Sequence, residues 1–179
     1  MSHNLIKIPA FDRKEACYAI IETPKGSHHK FDYDPDLACF MLNKTLPEGM
    51  TFPLDFGFIP STLADDGDPV DVLVILEFPA SMGAVIKIRL IGGIRAEQRE
   101  KNGKWEENDR LIAVALHTRT FANINSLEDL SPGTLDQLIA FFEQYNKLEG
   151  KEFRCKGTCA GKQARALVEK GIKAFKKKH

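Results

Sequence analysis

The chain has 179 residues, 43% of them hydrophobic and 28% charged, the composition of an ordinary globular fold long enough to bury a sizeable core without disulfide or metal staples. Lys plus Arg is 25 and Asp plus Glu is 25, so no basic excess exists with which to track a nucleic-acid backbone, and nucleic acid is set aside as a partner. No window approaches the roughly 18 to 20 apolar residues of a spanning helix, residues 1–11 lack the apolar core of a secretion signal, and the four cysteines are too few for a disulfide framework; the expectation is a cytoplasmic protein with reduced thiols and no membrane partner.

In chain order, residues 17–22, 30–34, 39–44, 71–76 and 84–94 read as strands. The segments Pro24-Lys25-Gly26, Pro35-Asp36 and Asp66-Gly67-Asp68-Pro69 supply turn chemistry between them. Short strands joined by tight turns point to a barrel or sandwich. The polar stretch 97–109 carries Asn102-Gly103 and no apolar period, and reads as an exposed hairpin or loop before a further strand at 110–116. Beyond residue 125 the period changes to three and four. Leu135, Leu138, Ile139, Phe142 and Tyr145 mark an amphipathic helix with a capping box at Thr134 and Gln137, and Ala164, Leu167, Val168, Ile172 and Phe175 mark a second helix that packs back on the barrel. No linker separates independent cores, so residues 1–179 are expected to form one domain. The closing Lys176-Lys177-Lys178-His179 is read as a solvated end.

The densest unusual feature is Asp65-Asp66-Gly67-Asp68-Pro69-Val70-Asp71, which runs straight into Val72-Leu73-Val74-Ile75-Leu76. Acids this close resist joint ionisation as they enter a buried strand unless a cation compensates them. Carboxylate oxygens with no soft ligand nearby favour a hard ion such as Mg²⁺. An EF-hand loop does not fit: with Asp66 first the sixth residue is Asp71, and with Gly67 sixth the twelfth is Leu73. On this run alone a metal centre and a solvated acidic turn are equally good readings.

Other residues shift the balance. Period two places Lys30, Asp32 and Asp34 on one face of their strand, and Glu22, Lys44 and Arg110 stand at strand ends, where a barrel presents them at its rim. Acids for metals and bases for phosphate oxygens can converge there. Gly157-Thr158-Cys159-Ala160-Gly161-Lys162-Gln163 is not a phosphate loop, since it has three residues between its glycines and Gln where Ser or Thr belongs. Cys155 and Cys159 lack a second ligand pair for zinc. His28 and His29 would point to opposite faces of a strand and read as exposed turn residues.

The run Asp66-Gly67-Asp68-Pro69-Val70-Asp71-Val72-Leu73-Val74 resembles the signature of the soluble (family I) inorganic pyrophosphatases. Ile21-Glu22-Thr23-Pro24, Lys30-Phe31-Asp32, Phe52-Pro53, Phe56-Gly57-Phe58-Ile59, Leu111-Ile112-Ala113-Val114 and Phe141-Phe142-Glu143-Gln144-Tyr145 follow in the family's order. The resemblance implies an α+β fold, a five-stranded OB-like barrel with flanking helices. It further implies several Mg²⁺ ions, with Mn²⁺ as the alternative, hydrolysis of pyrophosphate to two phosphates, and a homo-oligomer. It assigns Asp66 and Asp71 to the metals that carry the attacking water and Asp68 to its proton. Glu22 and Asp32 fall to metals on the substrate side, and Lys30, Lys44, Arg110 and Tyr145 to phosphate oxygens.

Against that pattern, Lys44 stands where the family has Arg, Asp32 where it has Glu, Phe52 and Phe56 where it has Tyr, and Asn146 where it has Lys. Asn108 occupies a metal position held by Asp in the family, offering a neutral carbonyl oxygen, with Asp109, Glu107 or Glu106 as the neighbouring acids able to stand in. Adjacent strand residues face opposite ways, so only some of these reach the site. Two further readings follow from these departures: hydrolysis of another phosphate compound, or a degenerate homologue that binds phosphate or protein without turnover.

Overall fold

The elements, in chain order, are β1 (Cys17–Thr23), β2 (His29–Asp34), β3 (Cys39–Thr45), β4 (Asp55–Ile59), β5 (Val70–Ile75), β6 (Val85–Glu100), β7 (Glu106–Glu107), β8 (Arg110–Ala115), α1 (Thr134–Leu148), β9 (Lys151–Ala160) and α2 (Gly161–Lys178), in a computed structural model that describes residues 4–178. The first residues of the N-terminal stretch and His179 of the terminal run lie outside the described residues. Five strands close a ring in the order β1, β4, β5, β8, β6 and back to β1. The β5–β8 pair is parallel and the other pairs of the ring are antiparallel. This is the expected five-stranded barrel with helices on its flanks. Strands β2 and β3 form a separate hairpin, with an irregularity between Lys30 and Phe31.

β5 and β8 show no hydrophobic alternation because both of their faces are covered. Val70, Val72 and Val74 of β5 and Leu111, Ala113 and Ala115 of β8 pack with Ala164 and Val168 of α2. Leu73 and Ile75, with Ile112 and Val114, pack with Leu138, Phe142 and Tyr145 of α1. Period two then places Asp71 and Arg110 on the α1 side, at the matching ends of two parallel strands whose register runs Val72 to Leu111.

Four sequence expectations change. β4 is absent from the expected strands, although it lies between β1 and β5 in the ring. β6 runs 16 residues, past residue 94 and into the stretch read as an exposed hairpin or loop, which is a hairpin closed by β7. Residues 151–160 form β9, which pairs with β6 from Gly92–Ala160 out to Glu100–Lys151. The capping box at Thr134 is replaced: the residue before the helix is Gly133 at φ 80°, no side chain caps it, and the Gln137 N–H donates to the Gly133 carbonyl at 3.0 Å. His28 and His29 are exposed as expected, hydrogen-bonded through Nδ1 to the Met50 carbonyl and to Thr45 Oγ1 respectively. Among the described residues no helix is long and apolar enough to cross a membrane.

Candidate active site

The acidic run folds as a tight loop leading into β5. Gly67 sits at φ +92°, a region that glycine occupies without Cβ strain. The Gly67 N–H donates to the Ala64 carbonyl at 3.1 Å, the Ala64 N–H to the Asp68 carbonyl at 2.7 Å, and the Asp68 N–H to Asp66 Oδ1 at 3.2 Å. Helix α2 braces this loop from behind. The Leu63 N–H donates to the Gly171 carbonyl at 3.0 Å, and Lys170 Nζ meets Asp65 at 2.7 Å.

The loop faces a cleft of about 480 Å³. Glu22, Lys30, Asp32, Lys44, Asp66, Asp68, Asp71, Asn108, Arg110 and Tyr145 all line it, carried there by β1, β2, β3, the acidic loop, β5, the β7–β8 link, β8 and α1. Asp109 does not. Its carboxylate accepts the Ala96 N–H at 3.0 Å and lies 2.8 Å from Arg95 Nε, on the face opposite Asn108, so the expectation of a metal contact at Asp109 is corrected. Asp34, read on the same face as Lys30 and Asp32, instead accepts the N–H groups of Asp36 and Leu37 in the β2–β3 turn.

Acids and bases alternate around the cleft. Arg110 Nη1 is 2.6 Å from Asp71 Oδ2. Lys44 Nζ is 2.7 Å from Glu149 Oε2 and 5.1 Å from the Tyr145 ring centroid. Lys30 and Asn43 both donate to Asp32. Glu22, 8% exposed, accepts the Tyr33 N–H at 2.7 Å; burial nonetheless pushes its carboxyl up to about 8, with the charges of Asp32 and Asp71 adding to the rise. Burial, with the charges of Asp71 and Asp68, takes Asp66 up to about 6, and burial raises Asp71 against the pull of Arg110. The Tyr145 phenol is pushed up to about 12, chiefly by burial. Among the described residues no three acids, histidines or cysteines already stand in metal-holding geometry.

One wall of the cleft went unread in the sequence. The outer half of β6 continues past the ring, flanked by β7 and β9, and brings Gln98, Lys104 and Glu106 to the cleft. Trp105 beside them lies between two guanidinium groups, 4.7 Å from that of Arg99 and 4.3 Å from that of Arg154. The available signal was the period-two series Ala96, Gln98, Glu100, hidden by the charges between them. Asn43 was likewise missed, one residue before Lys44.

Residues 19–176 match the family profile described as inorganic pyrophosphatase. The chain belongs to the inorganic pyrophosphatase family. A pyrophosphatase of a Nostoc species is 36% identical over 173 residues, covering 97% of this chain and 99% of the relative, and one of Thermus thermophilus is 35% identical over 167 residues, 93% of each. Among solved structures, the Thermus thermophilus pyrophosphatase superposes with a TM-score of 0.88 at 34% identity, covering 97% of this chain and 99% of that one. The Helicobacter pylori pyrophosphatase gives 0.85 at 32% identity, covering 95% and 99%. The pyrophosphatase resemblance and the barrel drawn from the sequence are thereby borne out, and with them the reading as a pyrophosphatase-family hydrolase.

Proposed function

We propose that the chain hydrolyses inorganic pyrophosphate to two phosphates with divalent cations, Mg²⁺ or Mn²⁺, held in the cleft. The observation that carries this reading is the meeting of Glu22, Asp66, Asp68 and Asp71 with Lys30, Lys44 and Arg110 around one cavity. The donor chemistry fits a hard cation. Glu22, Asp66 and Asp71 are carboxylates that burial and mutual repulsion drive towards protonation, and no Cys, His or Met among the described residues lines the cleft. Asp66, Asp71, Glu22 and Asp32 are the residues that would hold the ions, with Asn108 contributing a neutral oxygen. When bound, divalent ions acidify water and neutralise the attacking and leaving oxygens of an in-line displacement.

The chain's own residues supply the rest. The water oxygen forms a bond to one phosphorus, the bridging P–O bond breaks, and the second phosphate leaves with that electron pair. Asp68 is the acceptor for the water's proton, because it is exposed to the cleft and its side chain is tied to no cation, whereas Asp71 and Asp32 are paired with Arg110 and Lys30. Lys30, Lys44 and Arg110 neutralise phosphate oxygens. Tyr145, kept protonated well above neutral pH, donates a hydrogen bond. The homo-oligomer that the family resemblance implies is part of the same reading.

Phosphate release from pyrophosphate by the purified protein, with Mg²⁺ and with chelator, tests the reading. Release that needs metal and falls by about a hundredfold or more in Asp68→Asn is expected. Equal release from Asp68→Asn removes the proton-accepting role from that residue, and no release from the wild type in Mg²⁺ or Mn²⁺ overturns the reading itself.

A further inference from the structure

The hairpin wall carries acids on both of its faces, and they are not equivalent. Gln98 and Glu106 stand directly opposite each other across the β6–β7 pair, and Asn108 follows two residues on, so the three share a face; all three line the cleft. Glu97, Glu107 and Asp109 take the other face, where each is matched. Glu107 meets Arg95 at 3.0 Å and Lys156 at 3.1 Å, Asp109 meets Arg95, and Glu97 meets Arg154. The Glu106 carboxylate, in contrast, has no hydrogen-bond or ion-pair partner among the described residues. Asn108 is a second and independent sign. It is 7% exposed, it lines the cleft, and its side-chain amide makes no hydrogen bond among the described residues. The residue is buried, but its amide opens onto the cleft instead of bonding to the protein, which leaves its oxygen available to a ligand there.

We propose that Glu106 is the carboxylate by which the hairpin wall holds a divalent cation in the cleft, with the amide oxygens of Asn108 and Gln98 beside it. One carboxylate with neutral oxygens, water and substrate phosphate is a donor set that Mg²⁺ accepts. The inference rests on the hydrolase reading but assigns a residue that reading does not use. It also gives the amides a purpose: they offer oxygens to the ion without adding charge beside Asp66 and Asp71, which already repel each other.

Calorimetric titration of the intact protein with Mg²⁺, without pyrophosphate, tests it. Glu106→Gln is expected to raise the Mg²⁺ Kd about tenfold or more while leaving the far-UV spectrum and melting temperature unchanged, and Glu107→Gln, on the opposite face, to leave Kd within about twofold. Asn108→Asp, which adds a carboxylate on the Glu106 face, is expected to tighten binding. A Kd for Glu106→Gln within about twofold of wild type overturns the proposal, as does equal weakening by Glu106→Gln and Glu107→Gln, the mark of a diffuse field. Either result leaves the hydrolase reading standing if the wild type releases phosphate. A wild type that releases none fails that reading separately.

Discussion

Glu77 follows β5, and its carboxylate gathers donors from the turn after β8: Thr118 Oγ1 at 2.7 Å and the N–H groups of Arg119 at 2.6 Å and Thr120 at 2.8 Å. The Thr118 hydroxyl and then these amides draw its pKa from 4.5 down to about 2. Because the folded value lies below the unfolded one, the stabilisation is whole above about pH 4.5 and disappears as pH falls towards 2. Urea midpoints of wild type and Glu77→Gln should therefore differ most near neutrality and converge on acidification; a gap that stays constant from pH 6 to 2.5 contradicts this role. At the same scale, the sequence was legible where a charge terminates an apolar strand, as Glu22, Lys44, Asp71 and Arg110 do. It was less legible at Asn108 and Asp109, where strand register alone decides which side chain enters the cleft, and register follows from the β6 pairing rather than from the local residues.

Among elements, β4 shows why a strand can pass unnoticed. All five of its residues are buried, so it offers neither alternation nor length. Its central Gly57 nevertheless sets how closely β1 and β4 approach. A Cβ built there would stand 1.9 Å from the Ile20 carbonyl oxygen and 2.9 Å from the Ile21 Cα, contacts with backbone that cannot rotate away. Gly57→Ala is expected to cost more than about 3 kcal/mol of stability, since the barrel closes through this pair. Urea unfolding checks it, and a loss under about 1 kcal/mol would show that β1 shifts freely. β9 escaped for a different reason. Its inward Phe153 and Cys155 alternate with charged residues that pair across to β6, as Arg154 does with Glu97 and Glu152 with Arg99, so the run reads as a polar loop until its partner strand is known.

Across the molecule, the strands differ in how much holds them. β5 and β8 are covered on both faces and sit inside the closed ring, and the first half of β6 pairs with β1 and β8. The β2–β3 hairpin is a sheet of its own, with exposed Met41 and Leu42. Native-state hydrogen exchange should find the slowest amides in β5, β8 and the ring portion of β6, with those of β2 and β3 exchanging through smaller openings. Equal protection in the hairpin and in β5 would show a single cooperative unit. Four of the five ring strands and both helices could be anticipated from their apolar runs and period; β4 could not. The extension of β6 beyond the ring could not, because charge pairs rather than burial hold its outer half.

Trp105, clasped between Arg99 and Arg154 on that extension, is the one indole in the chain. Its emission is therefore a signal from a single address, the cleft wall, with no background from the barrel interior. Melting curves followed by tryptophan fluorescence record when the two arginines let go, whereas far-UV dichroism records the ring. The interval between the two transitions is a direct optical reading of how tightly the wall is coupled to the barrel that carries it.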